Sequence, residues 1–403
     1  MLIVQKYGGT SVGSPERIGK VADRIAKTIA KGHQVVVVVS AMGHSTDALV
    51  DLAAQVTENP DKREMDALLA TGEQVSTALV SMALQKRGIQ AKSFTGWQAA
   101  VQTEPVHGAA RIETIDPQPL SDYLKENGVA VVAGFQGIAK GAVTTLGRGG
   151  SDTTAVAIAA ALKADLCEIY TDVDGVYTAD PRKVTGAYKL EQVSYDEMLE
   201  LANLGSQVLH PRAVETAKRH QVALVVRSSF TDAEGTVVKD MTTMEGLRVV
   251  TGVAQEKEVA RLAIVGVPPS SKPLTNMFRT LAKQNVNVDV IVQSILREEE
   301  VDVSFTVSEA DLDRALELLE ALKESLGYRE IVHEKGLCKV SIVGAGMISN
   351  PGVAAQMFEA LEAAGARVKM VSTSEIKVSC VIESSYLEAA INSVHASFLL
   401  DQE

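Results

Sequence analysis

Short apolar runs alternate with longer stretches of helical periodicity over roughly the first 230 residues. Apolar side chains at Ile18, Val21, Ile25 and Ile29 recur at the spacing of a helix that buries one face. Nearly continuous apolar runs are typical of strands buried on both faces of a parallel sheet. The candidate strands are residues 34–39, 129–133, 166–170 and 222–226. This alternation predicts an open α/β sheet with helices on both faces, and ligands of such sheets bind at the carboxyl ends of the strands.

The last 145 residues contain an internal repeat. The sequence at 261–266 resembles that at 339–344, and the sequence at 277–281 resembles that at 357–361. Each unit is expected to form strand, helix, strand, strand, helix and a short final strand. Two units of about 70 residues are too few and too long for a solenoid, so the repeat predicts a pair of small α+β modules. Residues 231–258 are polar and without a clear period, which is typical of a linker.

The composition favours a globular protein of two or three domains, since the chain has 403 residues of which 46% are hydrophobic. A net charge of −12 argues against a nucleic-acid partner, and any anionic substrate must be held by local cations. The three cysteines are far apart and are expected to be reduced core thiols. No secretory signal or apolar run of about 18 residues is evident, so we expect a cytoplasmic protein that does not bind membranes.

A first glycine motif, Lys6-Tyr7-Gly8-Gly9-Thr10-Ser11, follows the apolar run 2–4. Adjacent glycines let backbone N–H groups approach an anion, and the lysine adds a positive charge, as in a phosphate cradle. Ser14, Pro15 and Glu16 then predict the start of a helix, with Ser14 as its cap. The alternative is a tight turn between strand and helix that requires glycine.

A second glycine motif, Gly147-Arg148-Gly149-Gly150-Ser151-Asp152, precedes the helical stretch 153–163. It is neither a Walker motif nor a dinucleotide fingerprint. Free N–H groups at a helix N-terminus and a guanidinium together bind carboxylate or phosphate. The alternative is a glycine turn that Ser151 or Asp152 caps.

Further polar side chains follow predicted strands or begin helices. Ser40 and Thr46 come after the run 34–39, where they could bind substrate or cap the next helix. Glu73 interrupts an apolar helical stretch; it is either an exposed acid, the usual case for glutamate, or a carboxylate aimed at a substrate ammonium. The Asp-rich loop 171–182 lacks the length and final glutamate of an EF-hand, so it favours a nucleotide base and ribose or a plain turn.

In this order the motifs resemble those of the aspartokinases, which belong to the amino acid kinase family and carry two tandem ACT modules. The resemblance covers essentially the whole chain. It implies a three-layer α/β/α kinase domain with a mainly parallel central sheet at residues 1–245, including the linker region 231–258. It also implies two ferredoxin-like βαββαβ ACT domains, at residues 259–335 and 336–403.

The resemblance implies MgATP-dependent phosphorylation of the side chain of L-aspartate to 4-phospho-L-aspartate, the first step towards lysine, threonine and methionine. A carboxylate nucleophile is already ionised at pH 7, so no general base is needed. Mg²⁺ is expected to arrive on ATP, without a dedicated protein site. The implied catalytic residues are Lys6, Asp152 and Arg148. The implied aspartate-binding residues are Ser40, Thr46, Glu73, Arg148 and Ser151. The implied ATP-binding residues are Lys6, Tyr7, Gly8, Gly9, Ser11, Thr171, Asp172, Tyr177, Asp180, Pro181, Arg182 and Gln207.

Gln207 departs from the family pattern, in which a lysine commonly reaches the nucleotide phosphate from the third position of the motif 205–211. An amide donates a hydrogen bond but cannot neutralise charge. We therefore expect weaker nucleotide binding or a compensating cation nearby.

Lysine, threonine or both are the effectors that the resemblance implies for the ACT modules. The implied effector-binding residues are Asn287, Asp289, Gln293, Asn350, Pro351 and Gly352. The first module's loop, 268–273, lacks the usual Asp-x-Pro-Gly. Met244 lies where some relatives start a short regulatory chain, so either a homo-oligomer or an α2β2 assembly is expected. The competing hypotheses are a kinase for another carboxylate or carbamate, and a catalytically silent sensor of nucleotide and amino acid.

Overall fold

A computed structural model describes residues 1–206, 208–241, 248–268, 273–297 and 300–401. The chain forms two compact units, each described here by itself. The first unit comprises residues 1–176, 189–203 and 207–242, and the second comprises residues 177–188, 204–206 and 243–403. Gln207 and Met244, both singled out in the sequence, lie outside the described residues.

The first unit is an α/β domain. Its strands are β1 (Leu2–Tyr7), β2 (Gln34–Val39), β3 (Ala91–Phe94), β4 (Val101–Thr103), β5 (Ile112–Ile115), β6 (Val129–Ala133), β7 (Gln136–Ala139), β8 (Ala142–Thr145), β9 (Leu166–Thr171), β10 (Gln192–Ser194), β11 (Leu224–Ser228) and β12 (Thr236–Lys239). Its helices are α1 (Pro15–Ala30), α2 (Ser45–Val56), α3 (Lys62–Leu69), α4 (Thr71–Gln85), α5 (Gln118–Lys125), α6 (Gly150–Leu162), α7 (Tyr195–Asn203) and α8 (Pro211–His220).

Eight of these strands form the central sheet, in the order β10-β12-β11-β9-β1-β2-β6-β3. Every pairing in it is parallel except that of β11 with β12. The predicted mainly parallel sheet is therefore confirmed. Residues 34–39 and 129–133 form β2 and β6 with the predicted bounds, because uninterrupted β-branched runs specify a doubly covered strand.

Helices α1 and α4 pack on the sheet face that carries Tyr7 and Val37, in one apolar cluster. Alternate strand residues point to opposite faces, and α6 packs against β1, β2 and β9. Helix α1 begins as predicted: Pro15 is its first residue, and the Ser14 hydroxyl accepts a hydrogen bond from the Arg17 N–H at 3.2 Å. Strand β1 is longer than its apolar run, since Lys6 and Tyr7 still pair with both β2 and β9.

A second, four-stranded sheet of order β5-β4-β7-β8 lies in the same unit. Helices α3 and α4 span residues 62–85, a stretch long and apolar enough to resemble a membrane span by length and composition. Of its most apolar 18-residue window, 44% is buried inside the fold. Its Asp66 and Glu73 are buried side chains of this unit, which is typical of core helices.

The second unit contains the predicted pair of α+β modules around a six-stranded sheet of order β14-β15-β13-β16-β18-β17. Its strands are β13 (Gly252–Val267), β14 (Asp289–Arg297), β15 (Glu300–Ser308), β16 (Glu330–Val343), β17 (Met370–Thr373) and β18 (Lys377–Glu383). Its helices are α9 (Pro273–Lys283), α10 (Leu312–Glu320), α11 (Lys323–Leu326), α12 (Val353–Ala363) and α13 (Leu387–Ser397).

Both long strands of this sheet serve both modules. The first part of β13, residues 252–256, pairs with residues 339–343 of β16, and its second part pairs with the first part of β16. The second module thus receives a strand from residues that the sequence analysis assigned to the linker 231–258, which also contains β12. The domain boundaries 1–245, 259–335 and 336–403 remain predictions, but 231–258 is not an irregular linker.

Residues 177–188 fold with the second unit, which the sequence did not predict. Ala179 and Val184 belong to the apolar core that α12 and α13 form over β16 and β18. The hydroxyl of Thr178 lies 2.9 Å from Nε2 of His395 in α13, and burial lowers the pKa of that imidazole. The loop 171–182, predicted as one nucleotide-binding element, is therefore divided between the units at Val176.

Candidate active site

A cavity of about 810 Å³ lies in the first unit at the carboxyl ends of the central strands, where sheets of this type bind ligands. Eight predicted site residues line it: Lys6, Gly9, Ser40, Thr46, Glu73, Arg148, Ser151 and Asp152. All the predicted catalytic residues and all the predicted aspartate-binding residues are thus brought together. Elements far apart in sequence supply them, since the parallel strands all end at one edge of the sheet.

Lys6 and Asp152 form an ion pair in the cavity wall. Strand β1 carries the lysine and the first turn of α6 carries the aspartate, with 2.7 Å between Nζ and Oδ1. The two side chains are only 10% and 14% exposed. Separating the two charges of a mostly buried pair would leave each of them uncompensated, so the pair stays together. The lysine ammonium is therefore held at the cavity rather than free to sample the solvent.

Glu73 is a buried carboxylate with one unsatisfied oxygen. The start of α4 lies so close to the loop after β2 that a Cβ at Gly72 would come within 2.9 Å of the Ala41 side chain. This approach lets the Ala41 N–H donate to Oε1 of Glu73 at 3.1 Å. Oε2 is buried and has no protein partner among the described residues. Burial raises the pKa of Glu73 to about 7. An ammonium group in the cavity would satisfy the free oxygen and favour the ionised form.

Arg148 stands on the second glycine motif with its side chain exposed and with no hydrogen bond or ion pair among the described residues. Gly149 has φ +67°, and a Cβ there would lie 2.1 Å from the ring of His210. His210 also accepts a hydrogen bond from the Arg212 N–H at the start of α8. Glycine is thus required both for the backbone conformation and for the close approach of the imidazole.

Arg212 ties this loop to its neighbours. Its guanidinium donates to the Leu146 carbonyl at 2.6 Å and to the Ala110 carbonyl at 2.9 Å. Sequence reasoning missed both His210 and Arg212 as supports of the glycine loop. The motif 205–211 was noticed only for Gln207, and the contacts of His210 and Arg212 depend on how α8 packs against α6.

The first glycine motif differs from the expected phosphate cradle in three of its members. The Gly8 N–H donates to the Tyr170 carbonyl at 3.1 Å, and the Ser11 hydroxyl donates to Ser229 at 2.8 Å. Tyr7 is fully buried and stacks on Tyr170, with ring centroids 4.8 Å apart, because it ends a strand and faces the core. The side chain of Tyr7 therefore has no surface for a nucleotide. Gly9, like Lys6, does line the cavity.

The remaining predicted nucleotide residues are divided between the units. Thr171 and Asp172 follow β9 in the first unit, where the threonine hydroxyl donates to the aspartate at 3.1 Å. Tyr177, Asp180, Pro181 and Arg182 belong to the second unit. There Arg182 binds both oxygens of Asp180, at 2.9 and 3.0 Å, and this hydrogen-bonded guanidinium lowers the pKa of Asp180.

Asp66 and His107 also line the cavity, although no motif in the sequence pointed to them. Asp66 lies on α3 and His107 in the loop before β5, and 2.6 Å separates Oδ2 from Nδ1. Among the residues that the structure describes, no group of three or more His, Cys, Asp or Glu side chains is arranged to hold a metal ion.

The predicted effector residues lie in the second unit. Asn287 and Gln293 are exposed beside or on β14, the edge strand of the six-stranded sheet. Asp289 forms an ion pair with the buried Lys339, which lies 2.6 Å from Glu256 as well, and these carboxylates raise the pKa of Lys339.

The second group of predicted effector residues precedes α12. The side-chain amide of Asn350 donates to the Gly346 carbonyl at 2.8 Å, Pro351 follows it, and Gly352 has φ +98°. Effector binding at either group remains a prediction.

Two family models match this chain. The model described as the amino acid kinase family matches residues 1–228, which is more than half of the chain. The model described as an ACT domain matches residues 263–322 and 340–398. The two ACT matches correspond to the two halves of the internal repeat.

Individual relatives extend over nearly the whole chain. An aspartokinase of Bacillus sp. (strain MGA3) is 56% identical over 400 residues, covering 99% of this chain and 97% of the relative. Escherichia coli aspartokinase III in complex with aspartate and ADP, in its R-state, superposes with a TM-score of 0.80 at 26% identity, covering 98% of this chain and 99% of that one. The T-state of the same protein, in complex with lysine and aspartate, gives a TM-score of 0.77 at 27% identity, with the same coverage.

Proposed function

This chain belongs to the amino acid kinase family and, within it, to the aspartokinases, and on that premise we propose how its cavity phosphorylates L-aspartate. The chain is an aspartate kinase under allosteric control. It transfers the γ-phosphoryl group of ATP to the side-chain carboxylate and forms 4-phospho-L-aspartate. The observation that carries the residue assignments is the unsatisfied Oε2 of Glu73, buried in the same cavity as Lys6 and Arg148.

Glu73 and Arg148 bind the two α-substituents of the substrate. The Glu73 carboxylate accepts from the α-ammonium through its free oxygen, and the Arg148 guanidinium pairs with the α-carboxylate. Ser40, Thr46 and Ser151 contact the same amino acid from the edges of the cavity. This arrangement favours a free α-amino acid over an N-acylated one, because acylation removes the charge that Glu73 recognises.

Lys6 stabilises the transferring phosphoryl group. The β-carboxylate of aspartate is ionised at pH 7, so catalysis consists of bringing two anions together and neutralising charge. Asp152 holds the Lys6 ammonium in position, and the first residues of α6 line the same cavity, where the positive end of the helix dipole favours an anion.

Within the first unit, nucleotide binding is assigned to Gly9, Thr171 and Asp172, whereas a nucleotide role for residues 177–182 of the second unit remains a prediction from the sequence. ADP is bound by the E. coli relative, and we assign MgATP as the phosphoryl donor here. The residues beside Lys6 fit a metal that arrives with the nucleotide, since Asp152 is a single carboxylate already paired and suits an outer contact to metal-bound water. The metal neutralises charge on the phosphates when it is bound.

Lysine, threonine or both are proposed as the inhibitors, bound at Asn287, Asp289 and Gln293 or at residues 350–352. Lysine is bound in the T-state structure of the E. coli relative. We further assign this activity to the cytoplasm, with the chain assembled as a homo-oligomer or with a short chain starting near Met244.

The assignment of the cavity is tested with substrate analogues. Hydroxylamine traps the acyl phosphate, so aspartyl hydroxamate measures turnover of purified protein with MgATP. We expect product with L-aspartate and at least about 100-fold less kcat/KM with N-acetyl-L-aspartate. Equal turnover of both compounds would contradict the role of Glu73, and ATP-dependent turnover of L-glutamate instead of L-aspartate would contradict the substrate.

A further inference from the structure

The buried carboxylate of Asp66 holds the ring of His107 in the cavity wall. Asp66 is fully buried and accepts hydrogen bonds from the Thr145 hydroxyl at 2.5 Å and from the Gly108 N–H at 3.1 Å. Its second oxygen lies 2.6 Å from Nδ1 of His107. Three donors, one from β8 and two from the loop that carries His107, therefore converge on one carboxylate.

This network fixes the orientation of the imidazole. Because a carboxylate accepts and does not donate, the proton on the facing nitrogen is assigned to Nδ1. Nε2 is then the polar atom of the His107 ring that has no protein partner among the described residues. The side chain is 25% exposed, and His107 lines the cavity together with Asp66 and Thr145. A histidine with one nitrogen held by a buried carboxylate and the other facing a binding cavity is a preorganised ligand contact.

The loop that carries His107 lies against the loop that carries Arg148. A Cβ at Gly147 would come within 3.2 Å of the Gly108 carbonyl and 3.7 Å of Ala109. His107 therefore belongs to the side of the cavity where, under the proposed function, the α-carboxylate of the substrate is bound.

We propose that Nε2 of His107 contacts the α-carboxylate of the bound amino acid, which makes His107 a further substrate-binding residue and Asp66 its positioning residue. This inference rests on the proposed function for the position of the substrate. With Asp66 at one nitrogen and the substrate carboxylate at the other, the imidazolium form donates to both. A charge-assisted hydrogen bond of this kind is worth more than a neutral one.

Two substitutions at His107 separate substrate contact from a structural role. The amide of His107→Asn reaches the Nδ1 position and keeps a donor for Asp66, but it loses the Nε2 contact. The amide of His107→Gln reaches the Nε2 position and loses the Asp66 contact. We expect His107→Asn to raise the KM for L-aspartate about tenfold or more while the KM for ATP stays within twofold, and His107→Gln to raise the KM for L-aspartate less. His220→Asn is the matched control, since that histidine is exposed at the end of α8.

The opposite order of effects would overturn the proposal. If His107→Asn binds L-aspartate like the unmodified protein while His107→Gln loses thermal stability and binding, His107 only anchors the loop. Isothermal titration of L-aspartate gives the same comparison without turnover. Asp66→Asn should raise the KM for L-aspartate in the same direction, and an unchanged KM in a folded Asp66→Asn variant would refute the positioning role. If the unmodified protein does not phosphorylate L-aspartate at all, the proposed function fails first, whereas failure of the His107 variants alone refutes only this inference.

Discussion

Replacing Glu73 with glutamine should stabilise the ligand-free first unit at alkaline pH. Burial raises the pKa of Glu73 from 4.5 to about 7, so the native state holds this proton more tightly than the unfolded chain does. The stability that the protonated form contributes is fully present below pH 4.5 and is lost as the pH rises through about 7. Glu73→Gln mimics the neutral acid and removes this loss.

The magnitude follows from the difference between the two pKa values. At about 1.4 kcal/mol per pH unit, the ionised form costs about 3 kcal/mol at pH 8 and less than about 1 kcal/mol at pH 5. Trp97 is the single tryptophan of the chain and lies in the first unit, so its fluorescence during urea unfolding reports on that unit. We expect the gain from Glu73→Gln at pH 8 to exceed the gain at pH 5 by about 2 kcal/mol.

The exposed Glu58 provides the matched control, since Glu58→Gln should change stability equally at both pH values. An equal effect of Glu73→Gln at pH 5 and pH 8 would refute the burial argument.

The same carboxylate should also govern substrate affinity, because the α-ammonium requires the ionised form. We therefore expect kcat/KM for L-aspartate to fall up to about tenfold per pH unit below about pH 7. A flat profile between pH 5 and 7 would contradict the assigned role of Glu73.

Three further substitutions follow from the structure. Gly149→Ala places a methyl group against the His210 ring and strains a left-handed residue, so the KM for L-aspartate should rise more than tenfold in steady-state assays. Lys6→Met removes the cation at the phosphoryl group and leaves Asp152 unpaired, so hydroxamate formation should fall by at least about 100-fold while circular dichroism still shows a folded chain. Lys339→Met frees Asp289, so the lysine or threonine concentration that halves activity should shift at least about threefold, with uninhibited kcat within twofold.

Each substitution has a control of the same type. Gly141 has φ +79°, and a Cβ there would have no atom within 4 Å, so Gly141→Ala introduces the backbone strain without the steric contact. The KM of Gly141→Ala for L-aspartate should therefore stay near normal. Equal effects of Gly141→Ala and Gly149→Ala would contradict the steric argument. Lys20 lies on the exposed face of α1, so Lys20→Met should leave turnover unchanged. Lys335→Met breaks an exposed ion pair with Asp313. If it changed the effector concentration that halves activity as much as Lys339→Met does, the effect could not be ascribed to the buried pair of Lys339 and Asp289.

The meeting of residues at the cavity was predictable where local pattern determines their place. Lys6, Ser40 and Arg148 each follow or end a run whose apolar composition specifies a strand or whose glycines specify a loop, so their meeting at one sheet edge follows from topology. Glu73 could not be distinguished from an exposed helix acid by sequence alone. Its burial depends on Gly72, which lets α4 approach the loop after β2.

Other features depend on packing that no local pattern encodes. Asp66 and His107 are single polar residues on a helix and in a loop, and only tertiary structure brings them together. The start of β13, at residues 252–256, ends in the polar pair Gln255 and Glu256, so it resembled a linker in the sequence although residues 252–254 are buried. Residues 177–182 were assigned to the nucleotide loop because they continue it in sequence, whereas residues 177–188 fold with the second unit, in whose core Ala179 and Val184 are buried.

An isotope experiment tests the central claim most directly. L-aspartate labelled with ¹⁸O only in its β-carboxylate is incubated with the protein, MgATP and hydroxylamine, and the released phosphate is examined by ³¹P NMR. Transfer to the β-carboxylate places one labelled oxygen between carbon and phosphorus, and hydroxylamine attack at the carbonyl carbon releases it with the phosphate. The account predicts phosphate that carries one ¹⁸O in step with hydroxamate formation. Unlabelled phosphate would contradict it, since the phosphoryl group would then have gone to water or to the α-carboxylate.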